Sequence, residues 1–110
     1  MEHYDVFSAL SNPVRRRILD ILKSGEYPAG KFVETFSDLP QPAISRHLKV
    51  LYKAGLVSVR KRSQLRIYAL RVDRLREMDV WISHYRKFWT EQFDSLEAHL
   101  DSMQKSKKIK

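Results

Sequence analysis

Hydrophobic side chains recur at helical spacing through the first half of the chain and predict three short helices. Val6, Phe7 and Leu10 give the first helix an apolar side. The second helix is expected to start at Ser11-Asn12-Pro13, because a capping residue followed by proline favours a helix start. The apolar positions of this second helix are Val14, Ile18, Ile21 and Leu22. A third helix of about two turns has its apolar positions at Phe32, Val33 and Phe36.

The stretch QPAISRHLKVLYKAG predicts a fourth helix with one apolar and one polar face. Proline disfavours helical angles in the residue before it, so we expect Gln41 to cap this helix and Pro42 to lie in its first turn. The apolar face is formed at helical spacing by Ile44, Leu48 and Leu51. Ala54-Gly55 predicts the end of the helix.

Two β-prone runs follow, and they predict a hairpin. The runs lie at residues 56–59 and 65–70, and Ser63-Gln64 lies midway between them. From Asp73 to about Gln104 nothing breaks helicity, and apolar residues at nearly heptad spacing predict one long helix, on the order of 45 Å. The apolar stripe is wider than a small helical core needs, so part of it is expected to meet a second chain.

These elements predict a mainly α fold with a small β-hairpin: a winged helix-turn-helix with a long C-terminal dimerisation helix. We expect one DNA-binding and dimerisation domain over residues 1–104 and a basic, disordered tail over 105–110. No apolar run approaches the roughly 20 residues that cross a bilayer, and the first residues lack the layout of a signal peptide. We therefore expect a cytoplasmic protein with no membrane association.

Charge points to the class of partner. The net charge is +8, and between Gln41 and Arg76 ten basic residues stand against one acid, Asp73. This local excess favours a polyanion, with nucleic acid ahead of an anionic membrane surface. The chain has no cysteine, which excludes disulfides, thiolate metal sites and cysteine nucleophiles.

The fourth helix and the hairpin together suit double-stranded DNA. A helix fits the major groove, where side chains of its first turns reach base edges, and cations on a neighbouring hairpin can hold phosphates. The candidates for base contacts are Gln41, Ser45 and Arg46, and those for phosphate contacts are Lys49, Arg60, Lys61, Arg62 and Arg66. Any one of these could belong to an ordinary solvated face, but the consecutive order of proline start, glycine stop and cationic hairpin favours DNA binding.

The segments SNPVRRRILDILKSG and QPAISRHLKVLYKAGLVSVRKRSQLRIYALR resemble the ArsR family of bacterial winged-helix transcriptional repressors, especially its members without metal ligands. The similarity covers roughly Val6 to Leu70, and WISHYRKFWTEQFDSLEAHL resembles the long terminal helix of that subgroup. By motif, the resemblance assigns DNA recognition to Gln41, Ser45, Arg46 and His47. It places Arg62 and Arg66 on the flanks of the wing tip. Family members often carry Ser or Thr where Pro40 stands, so one helix cap and one phosphate contact lack their usual residue.

The resemblance also implies a homodimer that is joined through its first and last helices. Such a dimer occupies an imperfect palindromic operator and blocks transcription until a signal releases it; no residue pattern here identifies an inducer. The residues expected at the dimer contact are Val6, Phe7, Leu10, Ile82, Tyr85, Trp89, Phe93 and Leu96.

Metal sensing is a competing hypothesis. As the resemblance describes it, a terminal-helix metal site needs an acid and a His two residues apart, followed by a second pair. Here Ile82 stands two residues before His84, and Ser95 occupies the expected partner position. We therefore expect no metal and no cofactor, and His84 and His99 are interpreted as ordinary polar positions. His47 is either a hydrogen-bonded helix residue or a DNA contact.

Catalysis and membrane-surface binding are two further hypotheses. Ser45 and His47 face different directions on a helix and cannot form a nucleophile–base pair, and the chain has no Gly-rich phosphate loop and no HExxH motif. We expect no enzymatic activity. The aromatic residues of the last helix would suit a lipid surface or a partner, but five acids against two bases between Asp79 and Met103 would repel anionic lipid. A core or dimer contact is favoured.

Overall fold

The computed structural model describes the backbone of residues 5–108; beyond residue 90 it describes side chains only at 96, 97, 99 and 100. Over this range the elements are, in order, α1 (Val6–Ala9), α2 (Pro13–Leu22), β1 (Tyr27–Pro28), α3 (Ala29–Thr35), α4 (Gln41–Lys53), β2 (Val57–Arg62), β3 (Leu65–Leu70) and α5 (Leu75–Lys108). The predicted mainly α fold with a small hairpin and a long last helix is confirmed.

The first two helices begin where side chains accept hydrogen bonds from their free backbone N–H groups. The Asp5 carboxylate accepts from the Phe7 N–H at 3.1 Å. Asn12 Oδ1 accepts from the Val14 N–H at 2.8 Å and from the Arg15 N–H at 3.2 Å, and proline occupies the first helical position. A cap of this kind contributes about 1 kcal/mol, and the predicted start of α2 is confirmed.

α4 begins one residue earlier than the sequence predicts. Pro40, and not Gln41, is the cap: its backbone is extended, with φ −68° and ψ 149°. Its carbonyl oxygen accepts from the Ala43 N–H at 2.9 Å and from the Ile44 N–H at 3.3 Å. The fixed φ of proline suits both extended and helical backbone, so proline can occupy this position. It has no side-chain acceptor, and α4 starts without the side-chain cap that Ser or Thr would provide.

α4 ends in a Schellman motif at Gly55. The Gly55 N–H donates to the Tyr52 carbonyl, and the Leu56 N–H donates to the Leu51 carbonyl, both at 3.0 Å. This motif requires a left-handed backbone at Gly55, where φ is +77°. Leu56 is fully buried directly after the turn. The glycine therefore sets the path from α4 into β2.

The hairpin forms as predicted. Ser63 and Gln64 make its turn, and Ser63 adopts a positive φ of 59°. The sequence patterns predict only the hairpin, whereas the sheet also contains β1, which pairs antiparallel with β3 and gives the strand order β1-β3-β2. A two-residue strand is too short to show a periodic pattern.

Side chains from the first four helices and the sheet form one hydrophobic core. Its largest fully buried members are Phe32, Ile18, Ile44, Leu48, Leu51, Leu56, Val6 and Val57. Phe32 of α3 packs edge to face on Tyr68 of β3, with ring centroids 6.5 Å apart. The predicted apolar face of α4 is confirmed, since none of its three residues is more than 2% exposed.

The chain divides into two compact units, Met1–Met78 and Asp79–Lys110. In the second unit Arg86 donates to the Asp79 carboxylate at 2.5 Å, one ion pair on the polar side of α5. α5 extends to Lys108 because neither proline nor glycine interrupts it. It thus includes four of the six residues predicted as a tail, and residues 109 and 110 lie outside the described range.

Gly55→Ala is expected to lower the free energy of unfolding by about 1–2 kcal/mol, because alanine is strained at positive φ. Its Cβ would also lie 2.9 Å from Arg74 Cγ. Gly30→Ala is the matched control: Gly30 lies in α3, and a Cβ there meets no atom within 4 Å. This control should leave the free energy of unfolding unchanged or raise it by up to about 1 kcal/mol. Urea denaturation measures both, and equal changes would contradict the turn assignment.

Candidate nucleic-acid interface

Four of the predicted DNA contacts lie together on the outer face of α4. Burial of Ile44 and Leu48 turns the positions beside them outward. The exposed residues on this face are Gln41, Ser45, Arg46 and Lys49. The first three lie in the first two turns of the helix, where the side chains of a recognition helix reach base edges.

The hairpin divides its cations between two faces, because successive side chains of a strand point to opposite sides. Lys61 and Arg66 are direct cross-strand partners, and both line the cleft between the hairpin and α4. Arg60 and Arg62 flank Lys61 in β2 and point to the other face. All four side chains are exposed.

Arg60 differs from the other predicted phosphate contacts because an acid engages it. Its Nη2 donates to a Glu26 carboxylate oxygen at 2.6 Å, and its Nε donates to the same oxygen at 3.2 Å. Glu26 lies just before β1, so this ion pair joins the two outer strands of the sheet. The two side chains are 55% and 49% exposed. An ion pair with that exposure contributes roughly 0–1 kcal/mol, so a phosphate could replace Glu26.

A cleft of about 830 Å³ lies between α4 and the hairpin. Among the described residues, its walls carry four cations and no acid: Lys49 and Lys53 from α4, and Lys61 and Arg66 from the hairpin. Walls of a single sign concentrate positive potential in the space between them. Lys53 is not among the predicted site residues, although its spacing of four from Lys49 places both on the same side of the helix and could have identified it.

His47 is half-buried on α4 and contacts α2 through Arg15. Arg15 Nη1 lies 3.1 Å from His47 Nδ1 and can only donate, so Nδ1 accepts and carries no proton. Burial first, and then the positive charges of Arg15 and Arg46, lower the pKa of His47 below its ordinary value of 6.5. His47 is therefore hydrogen-bonded within the protein through Nδ1. Its role as a DNA contact stays a prediction.

Arg15 contacts a predicted DNA-binding residue, His47, and the sequence does not single it out. Its Nε donates to the Ala9 carbonyl at 2.6 Å and its Nη2 to the Ser8 carbonyl at 3.2 Å, while the neighbouring Arg16 donates to the Leu10 carbonyl at 2.6 Å. Two guanidinium groups thus satisfy carbonyls at the end of α1. The run of three arginines in α2 is the signal that could have drawn attention to it, but the acceptors lie on other helices.

The predicted dimer contacts are distributed over the two units. In the first unit Phe7 is 38% exposed and Leu10 is half-buried, whereas Val6 is only 2% exposed and belongs to the core. In the second unit Ile82 is half-buried, and the exposed members are Tyr85, Trp89 and Leu96. The Phe93 side chain lies outside the described residues.

An apolar groove of about 540 Å³ lies on α5 in the second unit. It is lined by Trp81, Ile82, Tyr85, Phe88 and Trp89. The Trp81 and Tyr85 rings lie 4.9 Å apart, and the Tyr85 and Phe88 rings 6.5 Å apart. Contiguous exposed aromatic surface of this kind marks interaction sites.

The described residues can be searched for a metal site and for a membrane-spanning helix. Among their side chains no three His, Asp or Glu groups come together as metal ligands, and His84 and His99 are exposed on α5. No helix within residues 5–108 has both the length and the apolar character needed to cross a membrane.

Comparison with known proteins agrees with this geometry. A family described as a helix-turn-helix domain matches residues 10–60. The transcriptional repressor SdpR of Bacillus subtilis (strain 168) is 37% identical over 81 residues, which cover 74% of this chain and 89% of SdpR.

Solved structures support the same assignment. The crystal structure of a possible transcriptional regulator for arsenical resistance is 34% identical, with a TM-score of 0.63 over 82% of this chain and 90% of that one. The crystal structure of an ArsR family transcriptional regulator, at 24% identity, has a TM-score of 0.69 over 76% of this chain and 86% of that one, and supports the fold. The resemblance carried by the sequence motifs is confirmed: the chain belongs to the ArsR family of winged helix-turn-helix transcriptional repressors.

Proposed function

We propose that two copies of this repressor bind an imperfect palindromic operator in double-stranded DNA. α4 of each copy enters the major groove, and the hairpin of β2 and β3 lies on the flanking backbone. The observation that carries this proposal is the cationic cleft between α4 and the hairpin, where both walls present Lys or Arg side chains. A sugar-phosphate chain beside the recognition helix would meet cations from both walls of that cleft.

The first turns of α4 supply sequence information in this arrangement. Arg46 suits bidentate donation to guanine, Gln41 suits adenine, and Ser45 can donate to or accept from a base edge. Each bidentate pair contributes roughly 1–3 kcal/mol of discrimination. The proposed phosphate contacts are Lys49, Lys61, Arg62 and Arg66, joined by Lys53 because it lines the same cleft. Arg60 binds phosphate only after it releases Glu26.

The second copy is proposed to cover the aromatic groove on α5. The described residues that line the groove are all uncharged, and a two-fold axis brings the same surface of each copy together. Phe7 on α1 is a further proposed contact in the first unit. A two-fold dimer would place its half-sites about one helical turn, roughly 34–36 Å, apart.

Selection of bound duplexes from a random DNA pool tests the proposal directly. We expect enrichment of an inverted repeat whose half-sites are about 10–10.5 base pairs apart, centre to centre. Affinity for that duplex should fall steeply with salt, because several phosphates are neutralised at once. Absence of any preferred duplex, even at low ionic strength, would refute the proposed function.

Arg46→Ala and Lys61→Ala separate base contacts from phosphate contacts. Arg46→Ala should weaken binding to the selected operator by about 1–3 kcal/mol and change binding to a scrambled duplex much less. Lys61→Ala should weaken both alike and reduce the magnitude of the salt slope by about 1. Fluorescence anisotropy at several salt concentrations measures all of these quantities.

Arg60→Ala is the control for Lys61→Ala, since it removes the neighbouring cation, which is already paired with Glu26. Its loss of affinity should be smaller than that of Lys61→Ala.

Equal losses of specificity for Arg46→Ala and Lys61→Ala would contradict the division of roles between base contacts and phosphate contacts.

Trp89→Glu should shift the protein from dimer to monomer. A charge in the aromatic groove would have to be buried by the second copy, which costs about 2 kcal/mol or more at the centre of an interface. Thr90→Glu is the matched control, because the adjacent exposed residue does not line the groove. Sedimentation equilibrium measures the dimer dissociation constant. An undiminished dimer in Trp89→Glu would place the contact elsewhere.

A further inference from the structure

One guanidinium group joins three helices of the first unit. Arg15, on α2, donates from Nε to the Ala9 carbonyl at 2.6 Å and from Nη2 to the Ser8 carbonyl at 3.2 Å, both at the end of α1. Its remaining nitrogen, Nη1, lies 3.1 Å from His47 Nδ1 on α4. Two of the three contacts therefore anchor the guanidinium, and the third reaches the recognition helix.

This geometry leaves one protonation state for the neutral imidazole. Arginine has only donors, so His47 Nδ1 must be the acceptor, and the single ring proton must lie on Nε2. Among the described residues no protein group hydrogen-bonds to Nε2. A neutral ring held this way offers an N–H on the side away from Arg15.

We propose that Arg15 is a positioning residue for DNA recognition, which holds His47 as the neutral Nε2–H tautomer so that the ring donates a hydrogen bond to DNA. The acceptor is a phosphate oxygen or an acceptor on a base edge such as guanine O6 or N7. His47 follows Arg46, a proposed base contact, directly on α4. The DNA half of this inference rests on the proposed function, whereas the tautomer is a property of the free protein.

The charges around His47 favour the same state. Among the described residues, the charged groups that act on the ring are Arg15 from α2 and Arg46 from α4, and both are cationic. α1 contributes the carbonyls that hold Arg15. Together with burial they lower the pKa of His47. A proton on Nδ1 would also remove the acceptor that His47 offers to Arg15 Nη1.

The sequence provides a matched control next to Arg15. Arg16 also donates to a carbonyl at the end of α1, that of Leu10, at 2.6 Å. It makes no contact with His47 in the described part of the chain. Arg15→Met and Arg16→Met therefore both remove a contact to the end of α1, but only Arg15→Met releases the imidazole.

Two-bond ¹H–¹⁵N correlation spectra of the free protein test the tautomer, and His47→Gln identifies the His47 signals by their loss. We expect an unprotonated Nδ1 and a protonated Nε2 in the unaltered protein and in Arg16→Met. In Arg15→Met the ring should exchange between tautomers, and its pKa should rise toward 6.5. An Nδ1–H tautomer in the unaltered protein overturns the proposal even if Arg15→Met does not fold, and so does an unchanged titration in a folded Arg15→Met.

The pH dependence of the free energy of unfolding provides a second test, and Arg16→Met should not alter it. Because the pKa of His47 is lowered on folding, the unfolded chain binds this proton first as pH falls. The contribution of His47 to the free energy of unfolding is therefore present above about pH 6.5 and is lost as pH falls through the folded-state pKa. Arg15→Met should flatten this dependence, and a profile identical to that of Arg16→Met would contradict the inference.

Operator binding distinguishes failure of this inference from failure of the proposed function. At pH 7.5, Arg15→Met should weaken operator binding by about 2- to 10-fold, the range that the loss of one hydrogen bond represents. In a His47→Ala background, the same substitution should cause no further loss of binding. Additive losses would mean that Arg15 acts on DNA by another route. If no duplex is bound at all while the spectra show the expected tautomer, the proposed function fails and the positioning of His47 by Arg15 stands.

Discussion

Burial of one side of α4 is the interaction on which the rest of the structure depends. Ile44, Leu48 and Leu51 are almost completely removed from solvent, and each such side chain contributes roughly 1.5–3 kcal/mol. An exposed ion pair contributes at most about 1 kcal/mol. The apolar face therefore determines the rotation of α4 about its axis, and the outward direction of its polar residues follows from packing that involves none of them.

The cationic cleft has the same origin. Along β2, Val57, Val59 and Lys61 follow one another two residues apart, so their side chains point to the same face of the sheet. Their cross-strand partners on β3 have the same spacing, and the partner of Lys61 is Arg66. Burial of the apolar members of this row therefore turns both cations toward α4. Four cations around one cleft repel one another, and solvent screens that repulsion because the side chains are exposed. A polyanion that enters the cleft replaces this repulsion with attraction.

Local signals were sufficient for most of the fold and part of the candidate site. The cap at Asn12, the stop at Gly55 and the apolar spacing of α4 each involve residues within a few positions of one another, so the sequence displays them directly. The exposed face of α4 could be predicted for the same reason. The start of α4 is the exception: Gln41 is helical although Pro42 follows it, and the Pro40 carbonyl accepts the first helical hydrogen bonds.

What could not be predicted involves partners far apart in the chain. Arg15 and His47 are 32 positions apart, and Glu26 and Arg60 are 34 apart. β1 exists only because β3 offers it an edge, and Val6 is buried because other helices cover it. Periodicity and turn chemistry specify which helices and strands form, because they act through neighbouring residues. The side chains that meet across those elements depend on how the elements pack, so Arg15 could be assigned to His47 only once α2 and α4 were in contact.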